Sequence, residues 1–209
     1  MIEAKMPLRN EPVQARSAAR LTSLLDSAAA IIDEVGFERL TTAMVAERAG
    51  ASIGTVYRYF PDRIALLQAL GSRNLERILS RVGDNVLDDS HRNWFDALAA
   101  AFGIVVEAFR DEPGFRGLRV GDVIDLRPTP TARPYKAIVT DQILDGLIAR
   151  YEIEDSADLR FSFETAAEVS EALAARAFAR NTDGDDKFLV AGRDIVYTML
   201  KPYFGEAEF

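Results

Sequence analysis

Apolar positions in this chain recur at helical spacing along most of its length. Leu21, Leu24, Leu25, Ala28, Ile32 and Val35 follow the i, i+3, i+4, i+7 pattern of a helix with one buried face, and Gly36 stops it. Two short helical pieces are predicted next, over 42–49 and 53–59, separated by Gly50-Ala51-Ser52. Pro61-Asp62 opens a longer helix, with Asp62 as N-cap and Leu66, Leu67, Leu70, Ile78 and Leu79 facing inward. The helical pattern returns over 94–110, becomes irregular, and then meets three prolines between Arg127 and Pro134, which read as a loop. Helices are predicted over 135–151, 157–181 and 187–203, with Pro202 where the last should give out. Period-two alternation is nearly absent, so the expected class is all-α.

The two short pieces carry the most specific signal. Neither is long enough to persist alone, so each must be clamped by its neighbours. Ala46 is small where two helices approach closely, and Gly50 accepts the positive φ of a sharp turn. Val56 is apolar where the second helix packs back on the first. This spacing predicts a helix-turn-helix. Ser52 is a good N-cap for the second helix, which turns its N–H groups and positive dipole end outward. Val56 and Phe60 face the core, leaving Thr55, Tyr57, Arg58 and Tyr59 spread over the rest, and Gly54 permits close approach to another backbone. Phenol hydroxyls donate to phosphate and a guanidinium reads guanine bidentately, so double-stranded DNA is the partner these groups suit.

A formal net charge of −8 argues at first against DNA, but the charge is unevenly placed. Residues 1–63 hold eight Lys/Arg and eight Asp/Glu, whereas residues 64–209 hold 17 basic and 25 acidic groups. The neutral N-terminal part can approach phosphate, while the acidic remainder is expected to lie away from it.

Other chemistry finds little support. With no cysteine and one histidine, His91, disulfide frameworks, thiolate sites and the common nucleophile arrangements are missing. Asp183-Gly-Asp-Asp186 lacks the further ligands of a calcium loop. No cofactor, metal or catalytic residue is expected, and the chain is not expected to be an enzyme. Residues 1–15 have no apolar core of a signal peptide, and the longest apolar run, 97–106, is about half of a membrane span. A cytoplasmic protein with no membrane partner is expected.

The run from Leu40 to Leu67, with Gly54-Thr55-Val56-Tyr57-Arg58-Tyr59-Phe60 at its centre, resembles the DNA-binding domain of the TetR family of regulators over roughly Arg16–Leu70. The resemblance implies that Thr42 and Arg63 bind phosphate. It implies that Ile53, Gly54, Thr55, Arg58 and Tyr59 face the groove, with Ser52 at the helix start and Tyr57 on the backbone. Arg16 and Arg20 would flank them. Position 43, a base reader in some members, is alanine here, which shifts expected readout toward Arg58 and Thr55.

The same resemblance implies a larger C-terminal helical domain that binds a small-molecule effector. Its pocket candidates are Trp94, Phe95, Phe102, Phe109, Phe115, Tyr135 and Phe163. One recognition helix touches too few bases for useful specificity, so a homodimer reading a pseudo-palindromic operator is expected. The last two helices would pair with their copies through Leu159, Ala166, Val169, Leu173, Ala177, Phe178, Ile195 and Met199. The expected organisation is a flexible arm over 1–15, a three-helix DNA-binding domain over 16–62, and an effector-binding and dimerisation domain over 63–209. A regulator, most often a repressor in that family, is the resulting expectation. The alternatives are a regulator without an effector and a helical protein-interaction module.

Overall fold

A computed structural model describes residues 11–120 and 135–207, and every regular element among them is helical. In chain order these are α1 (Glu11–Val35), a single 3-10 turn (Phe37–Arg39), α2 (Thr42–Arg48), α3 (Ile53–Tyr59) and α4 (Arg63–Val86). There follow α5 (Trp94–Asp111), α6 (Phe115–Val120), α7 (Tyr135–Tyr151), α8 (Ala157–Phe178) and α9 (Asp186–Phe204). None of these helices is long and apolar enough to cross a membrane.

The caps explain where most of them begin. Thr41, Ser52, Asp62, Asn93, Ser156 and Asp185 each accept a backbone N–H from the first turn of the helix that follows. Gly36, with φ of 85°, ends α1 as its sequence position predicts. Of the arm expected over 1–15, residues 11–15 belong to α1, and residues 1–10 lie outside the described residues. Other boundaries move by one to three residues: α2 ends at Arg48, α5 runs on to Asp111, α8 ends at Phe178, and α9 runs from Asp186 to Phe204 with Pro202 in its last turn.

Two cores form, joined by α4. The first gathers Leu24, Ala28 and Ile32 of α1, Val45 and Ala46 of α2, Val56 and Phe60 around α3, and Leu66, Leu67 and Leu70 from the first half of α4. The second gathers Ile78, Val82 and Val86 from the other half of α4 with α5 and α7–α9. Helix α6, which the irregular pattern after 110 did not predict, lies between the two. Its Phe115 belongs to the second core and its Leu118 to the first. Gly114 makes this possible. It turns at φ of 73°, its N–H donates to Asp33 Oδ1 at 3.0 Å, and a Cβ there would meet the Ala29 backbone at 3.2 Å.

Candidate functional site

Helices α2 and α3 are held as a pair by the turn between them. Gly50 adopts φ of 57°, and Ala51 N–H donates back to Ala46 O at 2.9 Å. Ala46 and Val56 are buried, as their spacing around Gly50 requires. Glu34 and Arg48 brace α2 against α1 through two hydrogen bonds, and those from Arg48 hold the Glu34 carboxyl below its ordinary range.

What α3 does not bury, it presents outward. Ile53 is 44% and Tyr57 52% exposed, and Ser52, Gly54 and Arg58 are exposed beside them. Ser52 Oγ accepts from Thr55 N–H at 3.1 Å and lies 2.9 Å from Thr55 Oγ1, which orients both hydroxyls at the helix start. Thr42 Oγ1 donates to Tyr57 OH at 3.4 Å, so the first residue of α2 joins the same surface. A methyl at Gly54 would touch only Ser52 Oγ, at 3.9 Å. The protein's own packing therefore does not require glycine there.

Tyr59 is half-buried and links α3 to α1: its hydroxyl lies 3.0 Å from Ser17 Oγ. The Arg58 guanidinium sits over its ring at 5.4 Å from the centroid. Arg16, Arg20 and Arg58 then line a shallow groove with Ser17, Ser23 and Tyr59, and no acid is among the described residues that line it. Three guanidinium groups with hydroxyls between them form a surface that accepts phosphate. Arg20 also donates to Ala49 O at 3.4 Å, tying α1 to the turn that carries α3.

Arg63, expected to bind phosphate, also makes a contact within the protein. Its guanidinium donates to Phe37 O, and its Nε is buried without a hydrogen-bond partner. The contact is local: the Phe37 carbonyl already accepts from Leu40 N–H at 3.3 Å, and the first residue of α4 lies close enough to donate to its second lone pair.

In the C-terminal domain a cavity of about 130 Å³ lies among α4, α5, α7, α8 and α9. Of the aromatic residues expected to line it, Phe102, Phe115 and Phe163 do so. Trp94, Phe95 and Phe109 do not. Trp94 and Phe95 sit at the start of α5 and pack against Tyr197 of α9, with Trp94 also against Phe204, whereas the cavity is at mid-helix, beside Leu98, Ala101, Phe102 and Val105. Phe109 is one turn too far along and stacks on Phe178 at 5.5 Å. The Tyr135 side chain lies outside the described residues. The polar groups at the cavity, Lys136, Thr140, Ser170 and Glu171, were not anticipated, because they converge from α7 and α8 across 35 residues of chain.

The expected pairing face also divides. Leu159, Ala166, Ala177 and Phe178 are at most 3% exposed within the single chain, and so have no surface to offer a partner. They pack inward because α8 must cover α5 and α9 along one face. Val169, Leu173, Ile195 and Met199 are half-buried, with Phe161 71% and Val190 47% exposed on the same two helices.

Comparison with known proteins places these features in context. Residues 24–70 match the family model described as bacterial regulatory proteins of the tetR family. Residues 92–204 match the Tetracyclin repressor-like C-terminal domain. The HTH-type transcriptional repressor KstR of Rhodococcus jostii is 42% identical over 62 residues, which are 30% of this chain and 29% of that protein. The chain thus spans under a third of the curated repressors it matches first. A TetR-family regulator from Streptomyces coelicolor superposes with a TM-score of 0.70 at 32% identity, over 89% of this chain and 98% of that one. FadR of Thermus thermophilus, a TetR-family repressor solved with lauroyl-CoA, shares the fold with a TM-score of 0.63 at 21% identity, over 90% and 96% of the two chains.

Proposed function

The chain belongs to the TetR family of bacterial regulatory proteins, and from that premise we propose that it represses transcription as an operator-bound homodimer released by a small molecule. The observation that carries this reading is the outward face of α3. Ile53, Gly54, Thr55, Tyr57 and Arg58 are presented together, with Thr42, Ser52 and Tyr59 beside them and an acid-free arginine groove alongside. Arg58 and Thr55 read base edges, and Thr42, Tyr57, Arg16 and Arg20 hold phosphates. Residues 16–62 do the binding, and residues 63–209 respond to the effector and pair the subunits.

Val169, Leu173 and Ile195, with exposed Phe161 and Val190, form the pairing surface. Two copies joined through α8 and α9 carry two α3 helices, which suits half-sites one DNA turn apart, ~34–36 Å. The effector acts through α6. Phe115 lines the cavity, and three residues further on the same short helix plants Leu118 in the first core. A ligand that shifts Phe115 therefore bears on α1 through Leu118 and through the Gly114–Asp33 hydrogen bond. Release requires only that the ligand favour the non-binding arrangement by a few kcal/mol. The complex of FadR with lauroyl-CoA supports a ligand-responsive reading, and the name of KstR supports repression.

Fluorescence anisotropy with DNA from upstream of the protein's own gene tests the reading. Salt-sensitive, sequence-dependent binding by a dimer is expected, with log affinity falling linearly against log salt. Equal binding to operator and scrambled DNA would reject it.

A further inference from the structure

The cavity has a chemical polarity of its own. Its walls are apolar, including Leu79, Val82, Leu98, Phe102, Phe163 and Val196. Among the described residues, its polar groups come from α7 and α8, where Lys136, Thr140, Ser170 and Glu171 meet. The Lys136 ammonium is held between Glu168, at 2.7 Å, and Glu171. The Lys136 and Glu171 side chains are only 20% and 14% exposed. Ser170 Oγ donates to Ala167 O at 3.0 Å, which leaves its lone pairs to accept.

We propose that this cavity takes a small neutral amphiphile, a single ring carrying one hydroxyl, carbonyl or amide group, in preference to an acid, an amine or a long acyl chain. The proposal rests on the reading of the cavity as the effector site. Size supports it first. About 130 Å³ is near the ~150 Å³ of an apolar cavity that holds benzene, so one ring fills it. Charge supports it second. A carboxylate would have to draw Lys136 from two glutamates, and an ammonium would have to draw Glu171 from Lys136. Either leaves a charge poorly solvated among apolar walls. A hydroxyl or amide instead donates to Glu171 and accepts from Lys136 or Thr140 with the ion pairs intact. The apolar walls supply the rest of the affinity by burying the ring.

Calorimetry on the full-length protein without DNA tests this with three probes of nearly one shape: benzyl alcohol, benzoate and benzylamine, with dodecanoate as a fourth. Benzyl alcohol is expected to bind at least tenfold more tightly than the other three. Equal or tighter binding of a charged probe or of dodecanoate overturns the proposal, as does no binding of benzyl alcohol. Ala101→Leu, which fills the cavity, is expected to abolish benzyl alcohol binding; retention overturns the assignment to this cavity. Glu171→Gln removes one of the carboxylates that hold Lys136 and does not depend on that packing change. It is expected to raise benzoate affinity about tenfold, and an unchanged benzoate affinity overturns the proposal. Operator binding by the ligand-free protein is measured separately. A wrong probe ranking with intact operator binding rejects the ligand class alone, and absent operator binding with the expected ranking rejects the regulator reading alone.

Discussion

The outer face of α3 and the cavity of the C-terminal domain use their side chains in opposite ways. On α3, the residues that hold the fold and those offered to a partner are largely different residues, Tyr59 being the one that does both. Val56 is fully buried and Phe60 nearly so, whereas Ile53, Tyr57 and Arg58 face outward. Around the cavity the same residues do both, since Phe163, Leu98 and Val82 line it and also build the core. A surface helix can therefore change what it binds without changing its stability. A cavity in a core cannot, because each wall atom removed is also packing removed.

This contrast can be broken or sharpened by substitution. The largest effect is expected from Phe163→Ala, which should cost about 3–5 kcal/mol by urea unfolding and weaken any effector response with it. Preserved stability with a lost response would break the contrast at the cavity end. Arg58→Ala should follow, with about 1–3 kcal/mol of operator affinity lost, relaxed sequence preference at one position, and an unfolding midpoint close to the parent's. A matching loss of stability would show that Arg58 serves the fold through its contact with Tyr59.

Gly54→Ala separates the two properties more finely. Open space around the position and ordinary helix propensity predict a gain of up to about 1 kcal/mol in stability. The added methyl should nonetheless weaken operator binding if α3 lies close against the DNA backbone, and unchanged affinity would show that it does not. The smallest effect belongs to Glu34→Gln. Because Arg48 lowers the Glu34 pKa in the folded chain, the pair stabilises above the ordinary carboxylate value of 4.5. That contribution disappears as pH falls through the lowered value. Thermal unfolding of parent and variant should thus differ slightly near neutrality and converge in acid.

Sequence periodicity was enough for most helices and for the helix-turn-helix, because those depend on local rules. An N-cap must be Ser, Thr, Asp or Asn within a residue or two of the helix start, and Ser52 and Asp62 are found there. Gly50 and Gly36 take the positive φ that their positions demand. Helix α6 escaped notice because six residues are too few to display a period, and it is ordered by what it touches on both sides. Of the aromatic residues proposed for the cavity, Trp94, Phe95 and Phe109 have the same composition signal as Phe102 and Phe163. Only the place along α5 at which the cavity opens separates core from lining.

What the sequence by itself determined, then, is the order of the helices other than α6, the family and the group of residues displayed on α3. Each follows from spacing within a few turns of one chain segment. The tertiary structure alone decided that Arg63 turns inward to Phe37, that half of the expected pairing face is buried, and that Lys136 meets Glu171 beside an apolar cavity. Those outcomes depend on how helices far apart in sequence rotate against one another. Nothing in the spacing of residues along either helix records that rotation.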